Sequence, residues 1–283
     1  MDRRTMAFSG RVAHVSMQGV INAPMTEGEA AQVVLPLVDL RQARDGGRDR
    51  QLLMGDVVTV IDREQDHAFV LSAKDGYCGW VREAALGQGP QPTHWVVAPS
   101  SHLYSEPQVQ SPEKACLSLG SKVAVVGSWG AWANTPHGFM PLAHLRPIGQ
   151  WAPDPVYVAE SFLGTPYLWG GNSRFGIDCS GLVQAALHAA GKACPGDSDM
   201  QMQIGRALLP EENLKRGDLI FWKGHVAMVV NENVLIHANG HTMSVNYEGI
   251  RDALERISAG GGGLVQARQR RLDEVLTDSL IAA

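Results

Sequence analysis

The first half of the chain carries a hydrophobic pattern of short period. Apolar and polar residues alternate over a few positions at a time, and Gly, Pro, Asp and Asn separate the runs, as is typical of short β-strands joined by turns. The runs are Arg11–Ser16, Val57–Ile61, Ala68–Leu71 and Val123–Val126. The first half is therefore predicted to consist of β-structure.

The second half begins with helical patterns and returns to strands. Residues Val156–Leu163 place apolar side chains on one helical face, and a second helical pattern starts near Asp178 and stops at Gly191. Strand patterns follow at Leu219–Trp222, Val226–Val230, Val234–Ile236 and Leu264–Ala267. Helices followed by a meander of strands predict an α+β domain.

An internal repeat divides the β-rich half. Leu52–Ile61 resembles Leu117–Val126, and Gly79–Leu86 resembles Gly138–Leu145, in the same order along the chain. Two blocks in one order indicate a duplicated module of about sixty residues. We therefore predict two small β-barrels, at residues 31–88 and 93–147.

The remaining boundaries follow from composition. Pro and Gly mark linkers at Gly87–Pro92 and Pro147–Pro155. The α+β domain is predicted at residues 154–270, with a tail at 271–283. Residues 1–30 form an N-terminal extension that either adds a strand to the first barrel or reaches the last domain.

Composition narrows the class of protein. The 283 residues are 45% hydrophobic and 19% charged, the balance of a globular chain long enough for several small domains. The net charge of -5 offers no basic surface, so neither nucleic acid nor membrane is an expected partner. The N-terminus carries no apolar run of signal-peptide length, which predicts a cytoplasmic location unless a leader has been trimmed.

One of the four cysteines stands out. Cys78, Cys116 and Cys194 are interpreted as small buried hydrophobes. Cys179, in contrast, follows the glycine-rich stretch Gly164–Asp178 and enters the first turn of a predicted helix. The helix dipole and free backbone N–H groups there favour a thiolate and can hold an oxyanion. Cys179 is therefore the candidate nucleophile.

Two histidines are the candidate partners of this thiol. With a turn centred near Glu232, His237 lies opposite position 227, on the face that His225 shares. His237 can then orient His225 as the third member of a triad, although a one-residue error in register would remove this contact. His241 follows His237 by four residues but not on a helix, so no metal site and no cofactor are expected.

These segments resemble a known family. Asp178–Leu182 after Pro166–Gly171 resembles the nucleophile motif of NlpC/P60 cell-wall peptidases, and Arg216–Phe221 with Gly224–Val230 resembles their histidine motif. The barrels are similar to bacterial SH3 domains. The resemblance implies an α+β fold with a papain-like catalytic domain behind two SH3-like barrels, and hydrolysis of γ-D-glutamyl-diamino acid bonds. It implies a triad of Cys179, His225 and His237, with the Tyr167 hydroxyl on the oxyanion side.

Two SH3-like domains are similar to a narrower group of the dipeptidyl-peptidase VI type. That similarity implies a murein peptide with a free N-terminal L-Ala as substrate, in cell-wall recycling. The implied substrate-binding residues are Asp178, Ser180, Trp169, Ser198, Tyr77 and Asp49. Asp178 would bind the substrate amine, but Asp is also a common helix N-cap. Trp169, Tyr77 and Ser198 are equally compatible with packing or loop roles.

Other functions fit the same motifs. A secreted peptidoglycan hydrolase could use the barrels to bind the wall. A binding protein could retain a non-catalytic peptidase fold, although a complete Cys-His-His set argues against it. An acyltransferase or amidase on the same fold would pass the thioester to an amine or lipid rather than to water.

Overall fold

The computed structural model describes residues 1–270. It divides into two compact units, Met1–Gln150 and a second that begins at Trp151.

The first nine strands of the first unit form one large sheet and one separate pair. These strands are β1 (Ala13–His14), β2 (Met25–Thr26), β3 (Glu29–Val33), β4 (Leu37–Arg41), β5 (Arg48–Leu53), β6 (Val57–Glu64), β7 (His67–Ser72), β8 (Cys78–Arg82) and β9 (Leu86–Gly87). Seven of them pair antiparallel in the order β5-β4-β8-β7-β6-β3-β9.

The N-terminal residues pack on this sheet without joining it. β1 and β2 pair with each other, and Ala7 is buried against Phe69, Cys78 and Trp80. The strand predicted over Arg11–Ser16 is wrong beyond β1, because the chain turns into a short 3-10 helix at Val15–Met17.

The rest of the first unit repeats the arrangement on a smaller scale. Its strands are β10 (His94–Val96), β11 (Ser100–Tyr104), β12 (Glu113–Ser118), β13 (Lys122–Val123), β14 (Gly127–Trp129), β15 (Trp132–Thr135), β16 (Gly138–Pro141) and β17 (Leu145–Pro147). They form sheets of order β13-β10-β17 and β12-β11-β16-β15-β14. The strand predicted over Val123–Val126 is wrong after its first residue, because β13 ends there and β14 starts at Gly127.

The sequence repeat corresponds to repeated local structure. A tight turn joins β5 to β6 and another joins β12 to β13, and Gly55 and Gly120 occupy them with φ of 80° and 90°. Only glycine adopts such angles without strain. After β8, and again after β16, a single 3-10 turn leads into the last strand of the set.

The second unit combines helices with one six-stranded sheet. Its elements are α1 (Pro155–Glu160), β18 (Asn172–Ser173), β19 (Gly176–Ile177), α2 (Cys179–Ala189), α3 (Ser198–Gln201), β20 (Arg206–Ala207), β21 (Leu219–Trp222), β22 (His225–Asn231), β23 (Val234–Asn239), β24 (Ser244–Gly249), α4 (Ile250–Ile257) and β25 (Ala267–Arg270), with a π-helical turn at Ser258–Gly262. The sheet is antiparallel in the order β20-β25-β21-β22-β23-β24.

Capping residues set the ends of the two predicted helices. Asp154 accepts the Val156 N–H at 2.9 Å and starts α1, which ends at Glu160, three residues before the predicted end, because the chain turns toward Gly164 at φ 76°. α2 matches its prediction: it runs to Ala189, and Gly191 closes it at φ 69°.

The sheet departs from the predicted strands at its last element. β21 has the predicted bounds, and β22 and β23 extend the predicted runs. The strand predicted over Leu264–Ala267 is wrong before Ala267, because turns at Gly261 and Gly263, both at positive φ, delay β25.

Buried apolar residues hold the second unit together. α4 packs Ile250 and Ala253 on a sheet face formed by apolar side chains of β21, β22 and β23. These are Ile220, Trp222, Ala227, Val229 and Leu235. Among residues 1–270, no helix has the length and apolar character needed to cross a membrane. The structure thus confirms the α+β class.

Candidate active site

A glycine-rich loop brings Cys179 to the start of α2. β18 and β19 form a small hairpin within it, and the backbone of this loop lies against the first turn of the helix. A Cβ at Gly181 would collide with the Gly171 carbonyl oxygen, and one at Gly171 would collide with that of Gly176. The glycines therefore allow a close packing that fixes the Cys179 backbone.

Asp178 is the N-cap of this helix. Its Oδ1 accepts the Gly181 N–H at 2.7 Å and the Ser180 hydroxyl at 3.0 Å, while Oδ2 accepts the Gly170 N–H at 2.9 Å. One carboxylate thus ties the loop to the helix. The capping alternative for Asp178 is present in the structure, and its contact with a substrate amine stays a prediction.

The Cys179 thiol is buried at the helix start. Burial raises the pKa of Cys179 to about 12, and the Asp178 carboxylate adds to the rise. Backbone N–H groups of Val226, Ser180 and Cys179 itself act in the opposite direction. The sequence argument considered only the helix end, whereas desolvation of the sulfur has the larger effect here. In the resting site Cys179 is a thiol, and a base has to take its proton.

His225 and His237 form the predicted pair. Met228 lies opposite Ile236, the register expected for a turn near Glu232, although the ladder is irregular between Val229 and Asn231. His225 Nε2 lies 2.9 Å from His237 Nδ1. No hydrogen bond within the described chain joins the Cys179 thiol to the His225 ring, and such contacts often tighten only when substrate binds.

Both rings are neutral in this setting. Burial lowers the pKa of His225 to about 3, and the neighbouring His237 lowers it further. Burial also lowers the pKa of His237 to about 4, against the opposing effect of the Glu248 carboxylate. His225 is therefore unprotonated and available as a base far below neutral pH.

Tyr167 lies in the same electrostatic environment. Burial raises the pKa of its hydroxyl, and electrostatic interactions with Cys179 and Asp178 add to that rise. Its backbone is fixed by a hydrogen bond from its N–H to the Met243 carbonyl at 2.9 Å. The hydroxyl keeps its proton and can act as a hydrogen-bond donor.

The other candidates of the second unit occupy varied positions. Ser180 is buried and donates to Asp178, and Ser198 is buried in the first turn of α3. Trp169 is 71% exposed, so burial in a core does not explain it. Their roles in substrate binding stay predictions.

The two candidates of the first unit are engaged by arginines. Arg3 holds the Asp49 carboxylate with two hydrogen bonds of 2.6 and 2.8 Å. Tyr77 is buried, and the Arg50 guanidinium lies 5.9 Å from its ring centroid. Because Asp49 already has a cationic partner, it is a weaker candidate for a substrate amine than Asp178.

Sequence reasoning missed Glu248 and Arg256. Glu248 lies on β24 with Oε2 3.0 Å from His237 Nε2, and Arg256 of α4 binds its carboxylate. Neither β24 nor α4 was predicted, so no signal placed these residues near the histidines. Within the described part of the chain, no three His, Cys, Asp or Glu side chains are grouped to hold a metal ion.

Comparison with known proteins identifies the family. The model described as "NlpC/P60 family" matches residues 164–255, and that of "Bacterial dipeptidyl-peptidase Sh3 domain" matches residues 40–86. A gamma-D-glutamyl-L-lysine dipeptidyl-peptidase of Bacillus subtilis is 30% identical over 213 residues, which are 66% of this chain and 71% of that protein. This chain belongs to the NlpC/P60 family.

Two further proteins extend the likeness. A dipeptidyl-peptidase 6 of Lysinibacillus sphaericus is 28% identical over 234 residues, 69% of this chain and 82% of that protein. The crystal structure of an NlpC/P60 family protein from Bacillus cereus has a TM-score of 0.73 at 23% identity and covers 86% of this chain and 100% of its own. That likeness shows a common fold, in agreement with the predicted class.

Proposed function

We propose that this protein is a cysteine peptidase that hydrolyses the γ-D-glutamyl-diamino acid bond of murein peptides with a free N-terminal L-Ala. The observation that carries the proposal is the contact between the half-buried His225 and the buried His237, because strand β22, which His225 opens, begins beside the Cys179 thiol. The names of the relatives that match over two thirds of their length support the substrate class. The proposal includes a cytoplasmic role in recycling such peptides.

The reaction begins with proton transfer. His225 takes the thiol proton as the Cys179 sulfur attacks the γ-carbonyl carbon of D-Glu. The carbonyl oxygen becomes an oxyanion, which the Tyr167 hydroxyl and backbone N–H groups at the start of α2 stabilise. His225 then gives its proton to the amine of the diamino acid as the C–N bond breaks.

Hydrolysis of the thioester completes the cycle. His225 removes a proton from water, and the resulting hydroxide attacks the acyl carbon. The C–S bond breaks, the sulfur recovers the proton from His225, and L-Ala-γ-D-Glu leaves with a free γ-carboxylic acid, which loses its proton to solvent. Asp178, a buried carboxylate next to Cys179, supplies the negative charge that a protonated L-Ala amine requires.

The test compares two peptides with their N-acetylated forms, so that the members of each pair differ only at the amine. L-Ala-γ-D-Glu-L-Lys, its diaminopimelate counterpart and their N-acetylated forms are incubated with the protein, and products are followed by mass spectrometry. We expect cleavage of the free-amine peptides alone. Cys179→Ala should lower the rate by at least about 10⁴-fold, as loss of a nucleophile does in serine peptidases. Cys116→Ala, a half-buried thiol of the first unit, is the matched control and should keep full activity.

One comparison favours a second candidate. A peptidoglycan endopeptidase, RipB of Mycobacterium tuberculosis, is 35% identical over 154 residues, 48% of this chain and 61% of that protein. Equal cleavage of the free and N-acetylated peptides would favour hydrolysis of the intact wall. Cleavage of neither would contradict the proposed substrate class, and undiminished cleavage by Cys179→Ala would contradict the proposed cysteine chemistry.

A further inference from the structure

Two charged residues, Glu248 and Arg256, lie behind the two histidines. His237 is buried, and its Nε2 lies 3.0 Å from Glu248 Oε2, at ion-pair distance but outside hydrogen-bond geometry. Arg256 binds both oxygens of that carboxylate, Nε to Oε1 and Nη2 to Oε2, each at 2.8 Å. These contacts therefore form a series from His225 through His237 and Glu248 to Arg256.

The fold positions each of these four residues. His237 on β23 lies opposite Asn246 of β24, and Leu235 lies opposite Glu248. Glu248 is thus a diagonal neighbour of His237 on one face of the sheet. α4 follows β24 directly and packs on the same face, which brings Arg256 in its last turn over the carboxylate.

The charges decide where the protons lie. A guanidinium is always protonated and supplies only donors, so Glu248 is held as a carboxylate, and Arg256 keeps its pKa low. A carboxylate can only accept, so the facing Nε2 of His237 carries that ring's proton. His237 Nδ1 is then a lone pair and accepts from His225 Nε2–H. The nitrogen of His225 that remains free to take the Cys179 proton is Nδ1.

We propose that Glu248, clamped by Arg256, is a positioning residue that fixes the tautomer of His237 and, through it, the tautomer in which His225 Nδ1 is the base. This inference rests on the proposed cysteine chemistry and adds Glu248 and Arg256 to the three residues of the proposed triad. The charge has a second effect once the thiol proton reaches His225. The Glu248 carboxylate favours the protonated form of both rings, in opposition to their burial and to the charge of Arg256.

Glu248→Gln is the variant that tests this assignment. An amide can turn its NH₂ group toward His237 Nε2, which would place the proton on Nδ1 of His237 and then on Nδ1 of His225. We expect kcat to fall about 10- to 100-fold with little change in KM. The fall is smaller than the ~10⁴-fold known for a serine-peptidase triad whose carboxylate contacts the base directly, because one more ring intervenes here. Glu248→Asp keeps the carboxylate and should restore part of kcat.

The control removes the same charge from a nearby residue on the following helix. Glu255 lies on α4, is exposed and pairs with Arg251 four residues earlier. Glu255→Gln should leave kcat, KM and the histidine spectra unchanged. A loss of kcat in Glu255→Gln equal to that in Glu248→Gln would overturn the assignment, since it would mean that charge alone matters.

Nitrogen NMR of ¹⁵N-histidine-labelled protein reads the tautomers without reference to catalysis. In the wild type we expect an unprotonated Nδ1 at His225 and at His237, and in Glu248→Gln a shift of the proton to Nδ1. A protonated Nδ1 at His225 in the wild type would overturn the inference even if the variant did not fold. The predicted tautomers in a protein that cleaves no murein peptide would leave the positioning role intact and remove the proposed function.

Discussion

Each unit of the molecule contains a carboxylate held among positive or proton-bearing groups, and the two carboxylates differ in what surrounds them. In the first unit Asp56 is almost fully buried between two lysines. In the second unit Glu248 lies between one arginine and one neutral imidazole. The comparison shows that a carboxylate with such partners can form either a fixed structural link or a site that can exchange a proton.

Asp56 is surrounded by two lysine ammonium groups and one backbone N–H donor. Lys74 lies 2.8 Å from Oδ2 and Lys122 3.3 Å from Oδ1, and the Leu53 N–H donates to Oδ2 at 3.0 Å. Lys122 belongs to the second set of strands, and its backbone N–H also bonds the Met54 carbonyl at 2.8 Å. The lysines outweigh the cost of burial and lower the pKa of Asp56. This network therefore joins the two sets of strands.

Glu248 has one partner that can change its charge. His237 is neutral in the resting protein, so it does not cancel the negative charge of Glu248. That charge therefore acts on a ring that contacts the proposed base, His225. A buried imidazole near an ionised carboxylate is poised to share a positive charge when His225 is protonated. The difference between the networks is thus the presence of a titratable ring rather than the carboxylate itself.

The largest expected effect separates the networks by stability. Asp56→Asn leaves two lysine ammonium groups facing a neutral amide, so the free energy of unfolding should fall by about 3 kcal/mol. Glu248→Gln should cost less than about 1 kcal/mol, because Arg256 can turn to solvent. Urea denaturation followed by tryptophan fluorescence and far-UV circular dichroism measures both.

A matched control uses an acid with an exposed partner. Asp66 lies at the surface of the first unit next to Arg82, and Asp66→Asn should change stability little. Comparable losses in Asp56→Asn and Asp66→Asn would contradict a special role for the buried acid. A loss in Glu248→Gln as large as that in Asp56→Asn would remove the distinction between the networks.

Sequence patterns predicted the features of the second unit that depend on local rules. The Asp178 cap, the end of α2 at Gly191 and the β22–β23 register follow from residue types and spacing within one element or hairpin. The contact between His225 and His237 was therefore accessible from parity alone. The repeat likewise aligns Gly55 with Gly120, and in the structure each glycine occupies a tight turn.

The missing members depend on pairings between elements. Glu248 reaches His237 only because β24 adds to β23 in one register, and Arg256 reaches Glu248 only because α4 folds back on that face. Asp56 and Lys122 come from separate sets of strands. The raised pKa of Cys179 depends on burial, which neighbouring elements create and helix-end arguments do not include.

The next effect uses pH to sharpen the contrast. An unfolded histidine has a pKa of about 6.5, whereas burial lowers the pKa of His225 to about 3 and that of His237 to about 4. Below about pH 6.5 these two histidines bind protons in the unfolded chain but not in the folded chain, so the free energy of unfolding falls as pH falls. The slope should reach up to about 1.4 kcal/mol per pH unit for each ring. Asp56, with a lowered pKa, loses its contribution only below about pH 4.

Denaturation between about pH 7 and about pH 5 therefore reports on the histidines. His237→Asn should flatten this slope, because one proton-binding difference between the folded and unfolded chain disappears. His102→Asn, at an exposed site of the first unit, should leave the slope as it is. Equal slopes in the wild type and His237→Asn would mean that His237 is protonated in the folded protein, against the resting state described above.

The smallest expected effect distinguishes the two lysines of Asp56. Lys74 makes the shorter contact and its side chain is 15% exposed, whereas that of Lys122 is 33% exposed. Lys74→Met should lower the free energy of unfolding by about 1 to 2 kcal/mol, and Lys122→Met by about 0.5 kcal/mol, because solvent already screens the second pair. The Lys122 backbone bond to Met54 survives its substitution, so the two sets of strands stay joined. If Lys122→Met were the more damaging change, the ion pair rather than the backbone would join them, and the Asp56 network would depend on one exposed contact.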